Sequence, residues 1–591
     1  MKTMMPFNEQ KELLKKIDQF CLEQNLPVGK IEFRDIPFSG EWGIAAPLFP
    51  LAAADPNRVG PVPQHAQILA EKLKEHLGHP AGFSRVEALK GYLNLYYETS
   101  QYASKVIDYV HYADHCYGMA EPTGKTVMVE YSNPNTHKPL HVGHLRNVIL
   151  GSSICNILEA SGDKVIRANY IGDIGLHVIK WMCNYEMYHA GQAPSADIMR
   201  WMADLYTEAD RRFHDDPDFE EACRAYFSRW DEGDKDIEAL WLKTRQWSMD
   251  GFKQVYELLG AKFDRVYFES DVEESGKVLV EDLLARGLAE DGRPENPVII
   301  DLDKILGTKE EYRVAVILRS DSTSLYATKE LPLAIMKFEE YPLDQSIYVI
   351  DVRQSLHMKQ MRKVLELMGY DWAKHIYHLA YEIVNLPGNV TMSSRDGKVV
   401  LLDDLIREAT DRALSIVKEK NPDLSPENQH EIAEMVAIGA IKYPMISREN
   451  TKIVTFDWES ALDFNGQSAP YIQYACVRAN SILRRAGLSM EYGQMPSASF
   501  AYELDAAEVN LIELIARLPI ELSKAAKEYK PSQIATYAYD LAKAFNDFYN
   551  QCPVLNAEDE IRSARLALTN AARITIENAL HLLGINAPQV M

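Results

Sequence analysis

The chain has 591 residues, 47% of them hydrophobic and 25% charged, which is ordinary for a globular protein and too long for one core, so about three or four domains are expected. No apolar run reaches the length of a membrane-spanning helix and the opening residues Met1 to Gln10 do not read as a signal peptide, so the cytoplasm is the expected location. The net charge of −23 excludes an indiscriminate nucleic-acid binder, although residues 461–591 contribute only −3 of it and leave room for a selective RNA contact there.

The seven cysteines are scattered and never spaced as C-x-x-C, which argues against a zinc ribbon and a disulfide scaffold and leaves no structural metal to expect. Residues 1–120 read as an α+β module. Leu13, Leu14, Ile17 and Cys21 share one helical face, a second helix is expected over 64–77, and Gly91 to Tyr97 alternates like a strand. A dimerisation or packing role is the plain alternative for this module.

A strand is expected over 126–130, a helix over 140–160 ending before Gly162, and a returning strand over 164–170, together a βαβ crossover. Residues 181 to about 260 are helical and rich in Trp and Tyr, a pattern expected from helical packing. Further strands are expected at 298–302, 314–318 and 346–350, alternating with helices as in a doubly wound sheet. After Asp403 the pattern is helical throughout, with helices over 405–418, 427–442, 471–486, 506–529, 532–550 and 560–583.

Between the first strand and its helix lies S-N-P-N-T-H-K-P-L-H-V-G-H, Ser132 to His144. His141 and His144 fall on one face of a helical first turn, and Gly143 between them leaves no side chain in a ligand's way. The helix start offers unpaired N–H groups and a partial positive charge, a setting made for a polyphosphate. Such a tetrapeptide alone is a weak signal, since a histidine beside an apolar run is more often structural.

The whole segment resembles the "HIGH" motif of class I aminoacyl-tRNA synthetases, and N-P-N-x-x-K-P-L-H-x-G-H resembles that of the arginyl family in particular. Thr391 to Gly397, T-M-S-S-R-D-G, is similar to that family's form of the flexible "KMSKS" loop, with Met392, Ser393, Ser394 and Arg395 at the motif positions and Ser394 where a lysine is usual. The family correlation implies that Lys138 supplies the missing cation, with Arg395 and Lys398 as further sources. A guanidinium needs carboxylates and amide oxygens. Tyr326 to Glu330, Y-A-T-K-E, resembles the stretch whose tyrosine and acid hold the substrate side chain, with Glu330 in place of the family's aspartate. The resemblance further implies that Glu130 and Asn135 hold the α-amino and carboxylate ends, that Gln354 lies near the guanidinium, and that Gly172, Asp173 and Gly175 form a loop beneath the site.

The C-terminal region resembles the DALR anticodon-binding domain, through Gln467 to Asn480, Phe545 to Tyr549 and Leu582 to Met591. Tyr471, Tyr474, Arg478, Phe545 and Tyr549 are its tRNA-binding candidates, because aromatic rings stack unpaired bases and arginine holds phosphate, while most of these rings are expected in the core. The expected architecture is thus a Rossmann-like α/β catalytic core over 121–404 with a helical insertion over about 181–297, an N-terminal α+β tRNA-contacting module over 1–120, and an all-α anticodon-binding bundle over 405–591. Implied with it are ATP with Mg2+, L-arginine and tRNA(Arg) as partners, activation that waits for tRNA, no structural zinc, and a monomer. Two alternatives stand: a cysteinyl-type enzyme, opposed by the lack of a cysteine cluster, and a silent paralogue that binds tRNA or protein, favoured by Ser394 and Glu330.

Overall fold

A computed structural model of the chain describes residues 8–36, 42–140, 142–387, 390–391, 401–488 and 499–591. The N-terminal layer is an antiparallel sheet of β1 (Arg34–Asp35), β2 (Gly43–Pro47), β3 (Phe83–Leu89) and β4 (Tyr92–Tyr97), in the order β1-β2-β4-β3. Helices α1 (Asn8–Glu23), α2 (Phe49–Ala54) and α3 (Val62–Leu77) accompany it, and Leu13, Ile17, Leu69, Leu73, Leu93 and Leu95 meet in a core separate from the rest. Helix α4 (Thr99–Ala113) leaves that layer. Its Ala103, Val106, Ile107 and Val110 join the large core that also holds the C-terminal helices.

The α/β region opens with β5 (Thr126–Glu130), α5 (Val142–Ala160) and β6 (Lys164–Ile171). Four helices follow, α6 (Leu176–Tyr188), α7 (Ile198–Asp215), α8 (Pro217–Asp231) and α9 (Lys235–Leu258), packed around Trp181, Met202, Leu205, Phe219, Cys223 and Ile237. The aromatics of this insertion therefore serve packing, as with Trp181, which stacks on Tyr185 at 5.6 Å between centroids. The helical run expected to about 260 ends at Leu258, and β7 (Arg265–Phe268) then returns to lie parallel to β6.

Next come α10 (Glu269–Ala285), β8 (Val298–Asp301), α11 (Leu302–Leu306), β9 (Val314–Leu318), α12 (Tyr326–Glu340), β10 (Gln345–Asp351), α13 (Ser355–Leu367) and β11 (Ile376–Tyr381). Five strands make one all-parallel sheet in the order β11-β10-β5-β6-β7. The chain leaves β5 toward one edge and returns at β10 toward the other, so the carboxyl ends of β5 and β10 flank a topological switch point, where such sheets bind ligands.

Strands β8 and β9 correct an expectation, because they stay out of this sheet and pair antiparallel with each other. In this two-stranded ribbon one face of β9 stays open, so that Val314 and Val316 are 44% and 40% exposed, whereas an interior parallel strand is covered on both faces. Helices α10 and α12 cross very closely: a Cβ on Gly276 would lie 2.3 Å from the Thr328 carbonyl oxygen. That approach fixes the helix that carries Tyr326 and Glu330.

The region past 404 is not wholly helical either. After β12 (Val384–Leu386), β13 (Val390–Thr391), α14 (Leu402–Lys420) and α15 (Pro426–Ile446), the short β14 (Val454–Thr455) comes back to pair parallel with β12. Helices α16 (Trp458–Ala461), α17 (Ala469–Arg485), α18 (Ala506–Glu528), α19 (Pro531–Gln551) and α20 (Asp559–Leu582) complete the bundle. The tail beyond α20 is tied to the α/β core and to the bundle: Ser153 Oγ of α5 donates to the Leu583 carbonyl at 3.2 Å, while Gln473 Nε2 of α17 donates to that of Asn586 at 2.6 Å and Lys442 of α15 to that of Gly584.

Candidate active site

The loop from β5 to α5 is held in an unusual backbone path. Ser132, Asn133 and His137 have φ of 76°, 48° and 61°, a left-handed conformation costly outside glycine and concentrated at functional loops. Side chains of the neighbouring elements over-determine it. Ser132 N donates to Asn147 Oδ1 at 2.5 Å, its hydroxyl pairs with the Tyr256 hydroxyl at 2.7 Å, and Asn133 N donates to Asn169 Oδ1 at 3.1 Å. His137 is buried, its two ring nitrogens 2.9 and 2.8 Å from the hydroxyls of Thr136 and Thr244, and burial pushes its pKa down to about 3. It is therefore a neutral structural histidine.

Gly143 and His144 lie in the first turn of α5, half-buried, where the helix end faces the switch point. His141, Met392, Ser393, Ser394, Arg395 and Lys398 lie outside the described residues. Lys138 is half-buried and leans toward the insertion, its Nζ 5.8 Å from the centroid of Tyr206, a ring that Lys180 Nζ approaches at 6.0 Å. Burial, then the neighbouring Lys180, lower the Lys138 pKa, while Asp210 and Glu269 oppose them.

Across the switch point stands a set of acidic and hydroxyl groups. Glu130 ends β5, 1% exposed, and its two oxygens are already engaged: Oε1 accepts from Asn133 Nδ2 at 3.1 Å and Oε2 pairs with Lys337 of α12. Burial raises the Glu130 pKa against the pull of Lys337. Tyr326 opens α12 and is 43% exposed, with Glu330, 3% exposed, one turn further on. Glu330 Oε2 pairs with His357 Nε2 of α13, and the Tyr326 ring lies 5.8 Å from that imidazole. Burial opposes a charged His357, yet Glu330 outweighs it and the His357 pKa is raised. Gln354, exposed, closes the turn before α13 at the carboxyl end of β10. The Tyr170 hydroxyl at the end of β6 lies in the field of Glu269, Glu330, Tyr326 and Glu130, buried and with no hydrogen-bond partner among the described residues.

The Gly172–Gly175 loop is a structural knot under this pocket. Asp173 has a fully buried carboxylate that accepts from Ser270 N at 3.0 Å, Ser270 Oγ at 2.7 Å and Arg245 Nη1 at 2.8 Å, joining β6, α9 and α10. Asn135, half-buried, runs alongside Gly172, where a Cβ would meet its Oδ1 at 2.1 Å, so only glycine fits. Gly175, at φ 120°, starts α6.

In the bundle one candidate is corrected. Phe545 is 0% exposed, because its face of α19 packs into the core, and it presents no ring to a base. Tyr471 and Tyr474 are partly buried against the same core. Arg478 lies over Tyr474 and Tyr549 at 4.9 and 5.0 Å, and Tyr549 is 41% exposed, which makes this trio the accessible aromatic-cationic group of the set.

Sequence reasoning missed Lys337, His357 and Asn133. Faint signals existed: Lys337 follows Glu330 by seven residues, two helical turns on one face, and His357 follows Gln354 by three. A cleft of about 1240 Å3 between α5, α9, α14 and α15 is a different place, lined by acids such as Glu159, Asp403 and Glu434 and by bases such as Arg167, Lys262 and Arg407 alike. Among the described residues no group of three or more His, Cys, Asp or Glu is set to hold a metal ion, and no helix is long and apolar enough to cross a membrane.

A Rossmann-type sheet with a histidine-bearing helix start on one side of the switch point, and a helical bundle behind it, defines a class I aminoacyl-tRNA synthetase. The family model "tRNA synthetases class I (R), catalytic domain" matches residues 107–458, and "DALR anticodon binding domain" matches 472–591. The chain is 34% identical over 569 residues to the arginine–tRNA ligase of Clostridium botulinum, covering 94% of this chain and 95% of that one, and 35% identical over 531 residues to that of Clostridioides difficile, covering 89% and 90%. Among solved structures, Thermus thermophilus arginyl-tRNA synthetase superposes with a TM-score of 0.79 at 29% identity, over 98% of this chain and 100% of that one. The chain belongs to the arginyl-tRNA synthetase family, ATP-using ligases of class I.

Proposed function

We propose that this chain is an arginine–tRNA ligase: it joins L-arginine to ATP as arginyl-adenylate, releasing pyrophosphate, and passes arginine to the terminal adenosine of tRNA(Arg), releasing AMP. The observation that carries the reading is the pairing of a helix start bearing His144 with a buried acidic pocket, Glu130 and Glu330, on opposite sides of one switch point. A triphosphate suits the first; in the second, Glu330 suits a guanidinium and Glu130 the α-amino end of the same substrate.

The arginine carboxylate then meets the α-phosphate in line, and the cations placed around the leaving pyrophosphate stabilise the charge that develops there. His141, Gly143 and His144 form one wall, Met392 to Arg395 the other, and Lys138 adds the cation that Ser394 lacks. Mg2+ comes with ATP as part of that substrate; the described residues do not form a metal site of their own. Asn135, Tyr326 and Gln354 line the amino acid pocket. The module at 1–120, the core at 121–404 and the bundle at 405–591 divide the tRNA between them, the last through Tyr549, Arg478 and Tyr474. A cytoplasmic monomer completes the proposal.

The test is arginine-dependent ATP–pyrophosphate exchange with and without tRNA, beside the other amino acids. Exchange with arginine only, and only with tRNA present, supports the reading; no exchange with any amino acid overturns it in favour of a silent paralogue.

A further inference from the structure

Four buried or half-buried carboxylates surround the proposed amino acid pocket, and three of them have permanent cations as partners. Glu130 is paired with Lys337, Glu269 with Lys329 at 3.3 Å, and Asp173 with Arg245 at 2.8 Å. The lysine that matters most, Lys337, keeps its charge: burial disfavours it, but Glu130 raises its pKa on balance. Only Glu330 has a titrating partner, His357, whose side chain is 20% exposed beside a glutamate side chain 3% exposed. The net charge that this pocket offers to a guanidinium therefore depends on one imidazole.

We propose that His357 is a positioning and specificity-determining residue of the amino acid pocket, which in its neutral form donates a hydrogen bond that aims Glu330 at the guanidinium and in its charged form cancels Glu330 and opposes arginine. The inference rests on the arginine reading of the site. It also gives Glu330 a purpose: the family's shorter aspartate ends one methylene earlier, while the glutamate reaches α13. The other groups facing His357 do not replace this control. They are Tyr326 on the same helix as Glu330 and His378 on β11, which itself faces Asp351 of β10, and Asp351 is held by Arg353 at 2.8 Å.

The linkage has a definite sign. Arginine and the His357 proton compete, so affinity for arginine is lowest below the His357 pKa, rises with pH through it, and levels off above. Because that pKa lies above the ordinary 6.5, kcat/KM for arginine rises at least about fourfold between about pH 6 and about pH 8, with the change in KM for arginine and not in kcat or in KM for ATP.

Steady-state aminoacylation by the full chain, with arginine and ATP varied in turn across that range, is the experiment. H357Q keeps a donor to Glu330 without a charge, so its KM for arginine is flat and near the high-pH value of the parent. H357L loses the donor and raises that KM at every pH. E330D draws the carboxylate back from His357 and flattens the profile. A flat profile in the parent, or an undiminished slope in H357Q or E330D, overturns the proposal. Absence of arginine-dependent aminoacylation at every pH would instead overturn the assigned function, so the two failures are distinct.

Discussion

Lys337 and Glu130 form an ion pair sealed inside the catalytic core, with side-chain exposures of 0% and 2%. The Lys337 ammonium also lies 4.1 Å from the centroid of Tyr348, so an aromatic face and a carboxylate together replace its hydration. Breaking such a pair leaves a bare charge in low dielectric, whereas removing both partners does not. K337M is expected to lower stability by about 3–5 kcal/mol, and the double variant K337M/E130Q to recover a substantial part, read by denaturant unfolding. Equal losses in both variants would show that the pair's burial is not what K337M disturbs.

His137 predicts a pH dependence of stability. Its folded pKa, about 3, lies below its ordinary 6.5, so the folded state favours the neutral ring and the unfolded state takes up the proton first. The stabilisation is fully present above about pH 6.5 and is lost as pH falls toward 3, by up to about 1.4 kcal/mol per unit. H137N, whose side chain tolerates the left-handed φ, removes that contribution to the acid slope. Unfolding curves of the two proteins at pH 7, 5 and 4 check it; identical slopes would reject the assignment.

Lys138→Ala is expected to slow arginine activation by about a hundredfold, the scale of losing one group that stabilises developing charge, with KM for arginine unchanged. Pyrophosphate exchange measures both quantities. Activity equal to the parent would mean that the cation missing at Ser394 is supplied elsewhere.

Gln354→Ala is expected to raise KM for arginine about tenfold while leaving KM for ATP within about twofold, because one hydrogen bond to a charged group is worth about 1.5–3 kcal/mol. An unchanged KM for arginine would remove Gln354 from the pocket.

For the bundle, Tyr549→Ala is expected to weaken tRNA binding by about 1–3 kcal/mol, the value of one stacked base, whereas Arg478→Ala should also reduce the salt dependence by about one counterion. Filter binding over a range of salt concentrations separates the two effects. Loss of binding with neither signature would point to repacking of Tyr474 and Tyr549 once Arg478 no longer lies between them.

Local and periodic features are legible in the residues themselves. The strand Thr126–Glu130 and the helices of the bundle were legible because alternation and 3.6-residue periodicity follow from which face is buried. The motif at the start of α5 stands out because its candidate chemistry lies in neighbouring residues, His141 to His144. Features that join residues far apart in the chain emerge only with folding. Whether β8 and β9 belong to the main sheet depends on partners, and the two strands read as strands whichever way they pair. The pocket's charge balance was hidden for the same reason: Glu130 and Lys337 are 207 residues apart, and a lysine within an apolar helix becomes a buried counter-ion only when the fold brings a carboxylate to it. His357 shows the same limit on a shorter span, since its influence on Glu330 comes from the packing of α13 against α12, which no spacing in the sequence expresses.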